Sequence, residues 1–243
     1  MSNVFYTPGE QRAARVNDLF AAIARRYDLL NDLQSFGLHR RWKRRVAELA
    51  AVQPGQRALD LCCGTGDIAF ALARRGAAVI GLDFSAAMLD VAESRNTVRD
   101  SKTGARNPTF IQDDAQQTPF PDGTFDAVTV GYGLRNLASW EKGLEEMRRV
   151  AKPGGRLVVL DFGKPANELW RKFYFGHLRR SVPLIGRLFC GNADAYTYIL
   201  ESLKHYPAQE GVAEKMRELK LVNVRVINFL GGAMTINYGE KPK

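Results

Sequence analysis

Hydrophobic and polar positions along the middle of this chain follow two alternating periods. Short apolar runs predict β-strands near 57–61, 77–83, 108–112, 125–131 and 156–162. The stretches between them have the apolar spacing of helices, near 67–75, 85–95 and 138–150. Because strands that alternate with helices pair in parallel, this pattern predicts an α/β fold built on a parallel sheet.

The N-terminal part of the chain has a helical pattern. Over residues 9–51 the apolar positions recur at helical spacing, and a second helix is predicted after Gly37; the recurring residues are Val16, Leu19, Phe20, Ile23 and Tyr27. We therefore predict a helical extension over residues 1–52 and a main body over residues 53–243.

The C-terminal part combines a helical segment with a pair of strands. Residues 165–205 are predicted to be helical, with breaks at Pro183 and Gly186. The runs Val222–Phe229 and Ala233–Tyr238 flank a Gly-Gly pair and predict a closing β-hairpin. Earlier, Lys152-Pro153-Gly154-Gly155 predicts a turn between a helix and the fifth strand.

The composition is that of a soluble globular protein. The 243 residues are 45% hydrophobic and 25% charged. No apolar run approaches the roughly 20 residues that span a bilayer, and no signal peptide is recognisable. Three cysteines, two of them adjacent, do not form a disulfide framework, and no His/Cys spacing suggests zinc. We expect a cytoplasmic location and no metal.

The net charge of +9 is concentrated in two places. His39–Arg45 forms one block, and a looser group contains Arg171, Lys172, Arg179, Arg180 and Arg187. Such clusters indicate either an anionic partner, nucleic acid or lipid headgroups, or only solvated helix faces.

Residues 58–67, Ala-Leu-Asp-Leu-Cys-Cys-Gly-Thr-Gly-Asp, carry the clearest chemical signal. A strand that runs through a Gly-x-Gly turn into a helix is typical of nucleotide sites, because glycine lets the backbone approach the ligand. Asp60 and Asp67 stand on either side of the turn. A dinucleotide pyrophosphate avoids such anions, whereas carboxylates favour the ammonium and sulfonium groups of S-adenosylmethionine (SAM).

Two other interpretations of this turn stay open. Residues 64–69 also match the G-x-G-x-x-A pattern of NAD(P) sites, and Asp67 is a favourable residue for the first turn of any helix. Asp83 ends the next strand seventeen positions after Gly66, where a carboxylate can accept both ribose hydroxyls. This acid supports an adenosine ligand without choosing between SAM and NAD.

Three further segments carry a family resemblance. They are residues 27–43, residues 133–136 (Gly-Leu-Arg-Asn), and residues 196–202 with Tyr206-Pro207. With these motifs the chain resembles the ubiquinone/menaquinone biosynthesis C-methyltransferase family of class I SAM-dependent methyltransferases. The resemblance implies a Rossmann-like fold: a mostly parallel seven-stranded sheet, a C-terminal β-hairpin and an added N-terminal helical segment.

The resemblance also implies a set of cofactor-binding residues. Thr65 is expected at the methionine part of SAM, Asp83 at the ribose, Asp114 and Ala115 beside the adenine, and Gly131 under the cofactor. The full expected set is Asp60, Gly64, Thr65, Gly66, Asp83, Asp114, Ala115 and Gly131.

Tyr27 and Arg135 are the expected catalytic residues. Arg135 is a permanent cation that would stabilise phenolate charge on the acceptor, and Tyr27 would position or relay its proton. The structural alternatives are that Tyr27 only packs in a helix and that Arg135 pairs with Asp28. His39 is a weaker candidate, because its basic surroundings suit packing or membrane contact equally well.

The implied reaction is SAM-dependent methylation of a ring carbon of a polyprenyl quinol, first of demethylmenaquinol and also of the benzoquinol in ubiquinone synthesis. The expected partners are this quinol and an anionic membrane surface, bound peripherally through His39–Arg45 with Trp42 as anchor.

A homodimer is an option, and no nucleic acid is expected because no RNA-binding motif is present. A methyltransferase of another small molecule and a non-catalytic subunit of a quinone-biosynthesis complex stay open.

Overall fold

The computed structural model describes residues 18, 20–96, 107–190, 202–203 and 205–243, with residues 181–190 described by their backbone only. Its strands are β1 (Arg57–Leu61), β2 (Ala78–Asp83), β3 (Thr109–Gln112), β4 (Phe125–Gly131), β5 (Ala151–Phe162), β6 (Val222–Phe229) and β7 (Met234–Glu240). Its α-helices are α1 (Tyr27–Ser35), α2 (Leu38–Ala50), α3 (Asp67–Ala73), α4 (Ala86–Asn96), α5 (Trp140–Val150), α6 (Glu168–Cys190) and α7 (Ala208–Glu218). Short 3₁₀ turns lie at Ala24–Arg26, Leu134–Asn136 and Leu230–Gly232.

The strands form one seven-stranded sheet in the order β3-β2-β1-β4-β5-β7-β6. The first five strands are parallel, and β7 runs antiparallel to both of its neighbours, β5 and β6. The predicted mostly parallel sheet with a C-terminal hairpin is therefore confirmed. The strand order reverses between β1 and β4, and ligands of open α/β sheets bind at the carboxyl ends of the strands beside such a reversal.

Both faces of the sheet are covered by helices. Successive strand residues point to opposite faces, so Ala58 joins a core with α2 and α3, whereas Leu59 joins a core with α5 and α7. Both side chains are fully buried. A parallel sheet requires this double cover because neither of its faces is solvated.

Helix α2 belongs to the first of these cores. Trp42, Val46 and Ala50 lie on one face at helical spacing, are at most 5% exposed, and pack under the sheet. The Trp42 ring lies 6.2 Å from that of Phe229, centroid to centroid. The expectation that Trp42 anchors the protein in lipid is therefore wrong, since its apolar ring is part of the helix face that packs on the sheet. The boundary at residue 52 stays a prediction.

The structure corrects two further predictions. A third concerns residues that the structure does not describe. The predicted turn at 152–155 is a bulge inside β5, where the register with β4 shifts and Gly154 has a φ of 77°. Helix α6 continues through Pro183 and Gly186, because a long helix can lose one hydrogen bond at proline without ending. Residues 196–201 of the family motif lie outside the described residues.

Candidate active site

The carboxyl ends of β1, β2 and β4 surround a cavity with about 830 Å³ of empty space. Five of the eight expected cofactor-binding residues line it: Gly64, Asp83, Asp114, Ala115 and Gly131. Four consecutive strands or their following loops supply these residues, which is why they are far apart in sequence and close in space.

The glycine turn and Asp83 are joined directly. The backbone N–H of Gly64 donates to Oδ2 of Asp83 at 2.8 Å, and the N–H of Ser85 donates to Oδ1 at 2.9 Å. Burial raises the pKa of Asp83, while these two N–H groups act in the opposite direction. Each carboxylate oxygen has a second lone pair, so the fixed side chain can still accept ligand hydroxyls.

The turn after β4 is crowded and strained. A Cβ on Gly133 would lie 2.2 Å from Cys62 Cβ, so this position has no room for a side chain. A Cβ on Gly131 would lie 2.5 Å from Ile68 Cδ1, which would have to move. Between them Tyr132 has a φ of 63°, which is unfavourable for a bulky residue. Its N–H donates to the carbonyl of Leu160 at 2.8 Å. The turn thus holds Tyr132 in one place at the cavity wall.

Arg135 stands behind this turn and does not line the cavity. Its Nη1 donates to the Tyr132 carbonyl at 2.7 Å and to Oδ1 of Asp161, and its guanidinium lies 4.8 Å from the Phe162 ring centroid. Arg135 and Asp161 are both buried. The ionic partner of Arg135 is therefore Asp161 and not Asp28, and Arg135 fixes the backbone of Tyr132.

Tyr27, at the start of α1, lines the same cavity and is half-buried. The ammonium group of Lys43 lies 5.8 Å from the centre of its ring. The next residue connects α1 to the glycine turn, since Oδ1 of Asp28 accepts a hydrogen bond from Oγ1 of Thr65 at 2.9 Å. The N-terminal helices therefore form one side of the candidate site.

Asp67 does not face the cavity. Its carboxylate accepts from Lys43 Nζ at 2.8 Å and from Arg95 Nη2 at 2.6 Å. Burial alone would raise its pKa, but these two cations lower it to about 2. The expectation that Asp67 attracts cationic groups of the cofactor is wrong, because its charge is already compensated within the protein.

The other three expected cofactor residues lie behind the cavity wall. Asp60 is 1% exposed, and its Oδ1 accepts from Oγ1 of Thr129 at 2.7 Å. Burial raises its pKa to about 7. Thr65 is buried against α1, and Gly66 has a φ of 84° with the Phe110 ring 2.9 Å from where its Cβ would be. These residues shape the turn, and their contact with a ligand stays a prediction.

Several lining residues were not predicted from the sequence. Phe84 is 51% exposed and directly follows Asp83, and Met88, Asn136 and Leu137 also line the cavity. Phe84 had a detectable signal, since it is a large apolar residue next to the predicted ribose acid. The others follow from the paths of α4 and of the loop after β4.

The chain matches the model of the ubiE/COQ5 methyltransferase family over residues 9–241. It is 42% identical over 238 residues to a protein of Cellvibrio japonicus named ubiquinone/menaquinone biosynthesis C-methyltransferase UbiE, covering 97% of this chain and 94% of that protein. A protein of the same name from Ectopseudomonas mendocina is also 42% identical, with coverages of 97% and 92%.

Solved structures support the fold. A SAM-dependent methyltransferase from Aquifex aeolicus has a TM-score of 0.56 at 19% identity, covering 82% of this chain and 88% of its own. The [4+2]-cyclase SpnF has a TM-score of 0.62 at 18% identity, with coverages of 95% and 97%. Because one fold serves both a methyltransferase and a cyclase, the structural likeness alone identifies only the fold.

Proposed function

The chain belongs to the ubiE/COQ5 methyltransferase family, and from that premise we propose that it transfers the methyl group of SAM to a ring carbon of a polyprenylated quinol. The observation that carries the proposal is the extent of the match: relatives named for this activity are 42% identical over 97% of the chain. The cavity at the reversal point of the sheet supplies a suitable place for the reaction.

The residues around the cavity fit SAM. Asp83 would accept the ribose hydroxyls, Asp114 and Ala115 would border the adenine, and the apolar Phe84 and Met88 would pack against the base. Bound SAM supplies a methyl group activated on a sulfonium. The protein itself has to bind and orient the two reactants and to exclude water from them. The hydrogen bond from the N–H of Gly64 to Asp83 holds the glycine turn, and with it this wall of the cavity, in place.

The acceptor carbon becomes nucleophilic when a quinol hydroxyl loses its proton. Tyr27 is our proposed residue for positioning that proton, because its side chain lines the cavity. In the transfer the C–S bond breaks and a C–C bond forms, after which the proton on the methylated ring carbon leaves. We propose that Arg135 acts by fixing Tyr132 through its carbonyl, since its own charge is paired with Asp161.

The acceptors proposed are demethylmenaquinol and, in a second pathway, the benzoquinol precursor of ubiquinone. Quinone profiling of cells with and without the gene tests this substrate class. We expect loss of the gene to accumulate a precursor that lacks one ring methyl group, and restoring it to remove that precursor. An unchanged quinone profile would favour a methyltransferase of another small molecule. Restoration by a variant that cannot bind SAM would indicate a non-catalytic subunit.

We also propose peripheral binding to an anionic membrane. Within the described residues no helix is long and apolar enough to cross a bilayer. The guanidinium of Arg40 is bound by Asp32 and that of Arg45 by Glu48, so Arg41 and Arg44 are the exposed cations of α2 best suited to lipid headgroups. A homodimer stays a prediction.

A further inference from the structure

A second cavity, with about 1110 Å³ of empty space, lies between α1, α2, α6 and the turn Leu230–Gly232. One side of it is aromatic and apolar: Trp42, Tyr132, Phe162, Trp170, Tyr174 and Met234. The amide side chains of Asn31 and Gln34 stand on the α1 side. An aromatic and apolar wall favours a hydrocarbon ligand over a polar one.

Tyr132 lines both this cavity and the candidate active site. Its backbone is held by Leu160 and by Arg135, so it forms a fixed partition between the two spaces. A ligand that lay in both spaces would contact Tyr132 with its polar ring on one side and its apolar chain on the other.

Three of the residues that line the second cavity are large, apolar and exposed. Phe36, Phe173 and Leu230 line it and are 89%, 65% and 53% exposed. Leu169, on the same helix as Phe173, is also 79% exposed but does not line the cavity. Exposed apolar residues that cluster at a cavity mouth mark a binding surface more often than isolated ones do.

Phe36 is also in an unfavourable backbone conformation. Its φ of 51° is left-handed, a region that suits glycine or asparagine and is costly for an aromatic residue. A residue that is both strained and almost fully exposed contributes little to folding stability. Its side chain is better explained by contact with an apolar ligand or a bilayer.

We propose that the second cavity holds the isoprenoid chain of the acceptor, which enters from a bilayer past Phe36 and Phe173, while the quinol ring lies on the cofactor side of Tyr132. This inference rests on the proposed function, because only an acceptor with a long apolar chain needs a second compartment. It adds a chain-binding site and an entrance to that function.

A binding measurement tests the cavity without any catalysis. The chain has three tryptophans, of which Trp42 and Trp170 line the second cavity and Trp140 does not. Titration of the full-length protein with farnesol, an isoprenoid alcohol, should change the tryptophan emission saturably. Phe173→Ser should weaken farnesol binding roughly tenfold, and the control Leu169→Ser should not. Unchanged emission of the natural protein on addition of farnesol would overturn the proposal.

A kinetic measurement tests the same site in the reaction. Phe173→Ser and Phe36→Asn should raise KM roughly tenfold for a demethylated quinol with a long isoprenoid chain in detergent micelles. For an analogue with one isoprene unit, both variants should have the same KM as the natural protein. Because asparagine tolerates the left-handed conformation, Phe36→Asn should unfold at the same temperature as the natural protein or higher.

The two proposals fail in different ways. If the natural protein methylates both quinols and the variants keep its KM for the long-chain quinol, the chain site is wrong and the proposed function stands. If the natural protein methylates neither quinol, the proposed function is wrong, and the farnesol titration still decides whether the second cavity binds an isoprenoid.

Discussion

Replacing Asp83 by alanine should remove the main polar contact of the cofactor site. Its two carboxylate oxygens accept the N–H groups of Gly64 and Ser85 at 2.8 and 2.9 Å and have lone pairs left for two ribose hydroxyls. The substitution therefore has two effects. It removes the ligand contacts, and it releases the glycine turn that forms the cavity wall.

The magnitude follows from the type of bond. A hydrogen bond to a charged group contributes about 1.5–3 kcal/mol, so two ribose contacts at the lower end amount to about 3 kcal/mol. At 1.4 kcal/mol per factor of ten, this loss predicts that Asp83→Ala binds the product S-adenosylhomocysteine roughly 10²-fold more weakly. The two lost backbone contacts should also lower the free energy of unfolding.

Isothermal titration calorimetry with S-adenosylhomocysteine measures this effect. Asp90→Ala is a matched control, because Asp90 is an exposed acid on α4, next in the chain to β2, that does not line the cavity. Circular dichroism checks that both variants are folded. Natural affinity in a folded Asp83→Ala variant, or equal weakening in both variants, would refute the assignment of Asp83 to the ribose.

Three other predictions concern stability, catalysis and the membrane. Burial raises the pKa of Asp60 from 3.8 to about 7, so folding stability falls as pH rises through that window. Denaturation curves should show Asp60→Asn gaining stability relative to the natural protein over that range, whereas a constant difference would contradict the shift. Arg135→Ala leaves Asp161 buried without its ionic partner and should cost about 3–5 kcal/mol of stability. It should also slow methyl transfer roughly 10²-fold, because Tyr132 loses its fixed position, without weakening S-adenosylhomocysteine binding. Normal turnover would make Arg135 purely structural. Replacing Arg41 and Arg44 by glutamate should weaken low-salt co-sedimentation with anionic vesicles, and unchanged binding would leave them a solvated face.

The sheet was predictable from the sequence, and so was the position of several residues that line the first cavity. Strands with continuous apolar runs and glycine turns have strong local signals, so β1, β2 and β4 lie within a residue or so of their predicted bounds. Gly64 and Asp83 both line the cavity, because the carboxyl ends of parallel strands lie at the same edge of the sheet, and their contact with a cofactor stays a prediction.

The ion pairs and the second cavity were not predictable in this way. Asp67 looks like a ligand residue in sequence, but its partners Lys43 and Arg95 come from helices distant in the chain. The second cavity depends on how α1 and α6 pack beside Tyr132. Such contacts are set by tertiary packing, which hydrophobic periodicity does not encode.

Methyl transfer from ¹³C-methyl-labelled SAM to a demethylated prenyl quinol, followed by NMR of the product, tests the central claim most directly. The purified natural protein should place one labelled methyl group on a ring carbon and release S-adenosylhomocysteine in equal amount. Asp83→Ala should do so only at much higher SAM concentrations. A labelled methyl group on oxygen, or no labelled quinone from a protein that binds S-adenosylhomocysteine, would contradict C-methylation of a quinol.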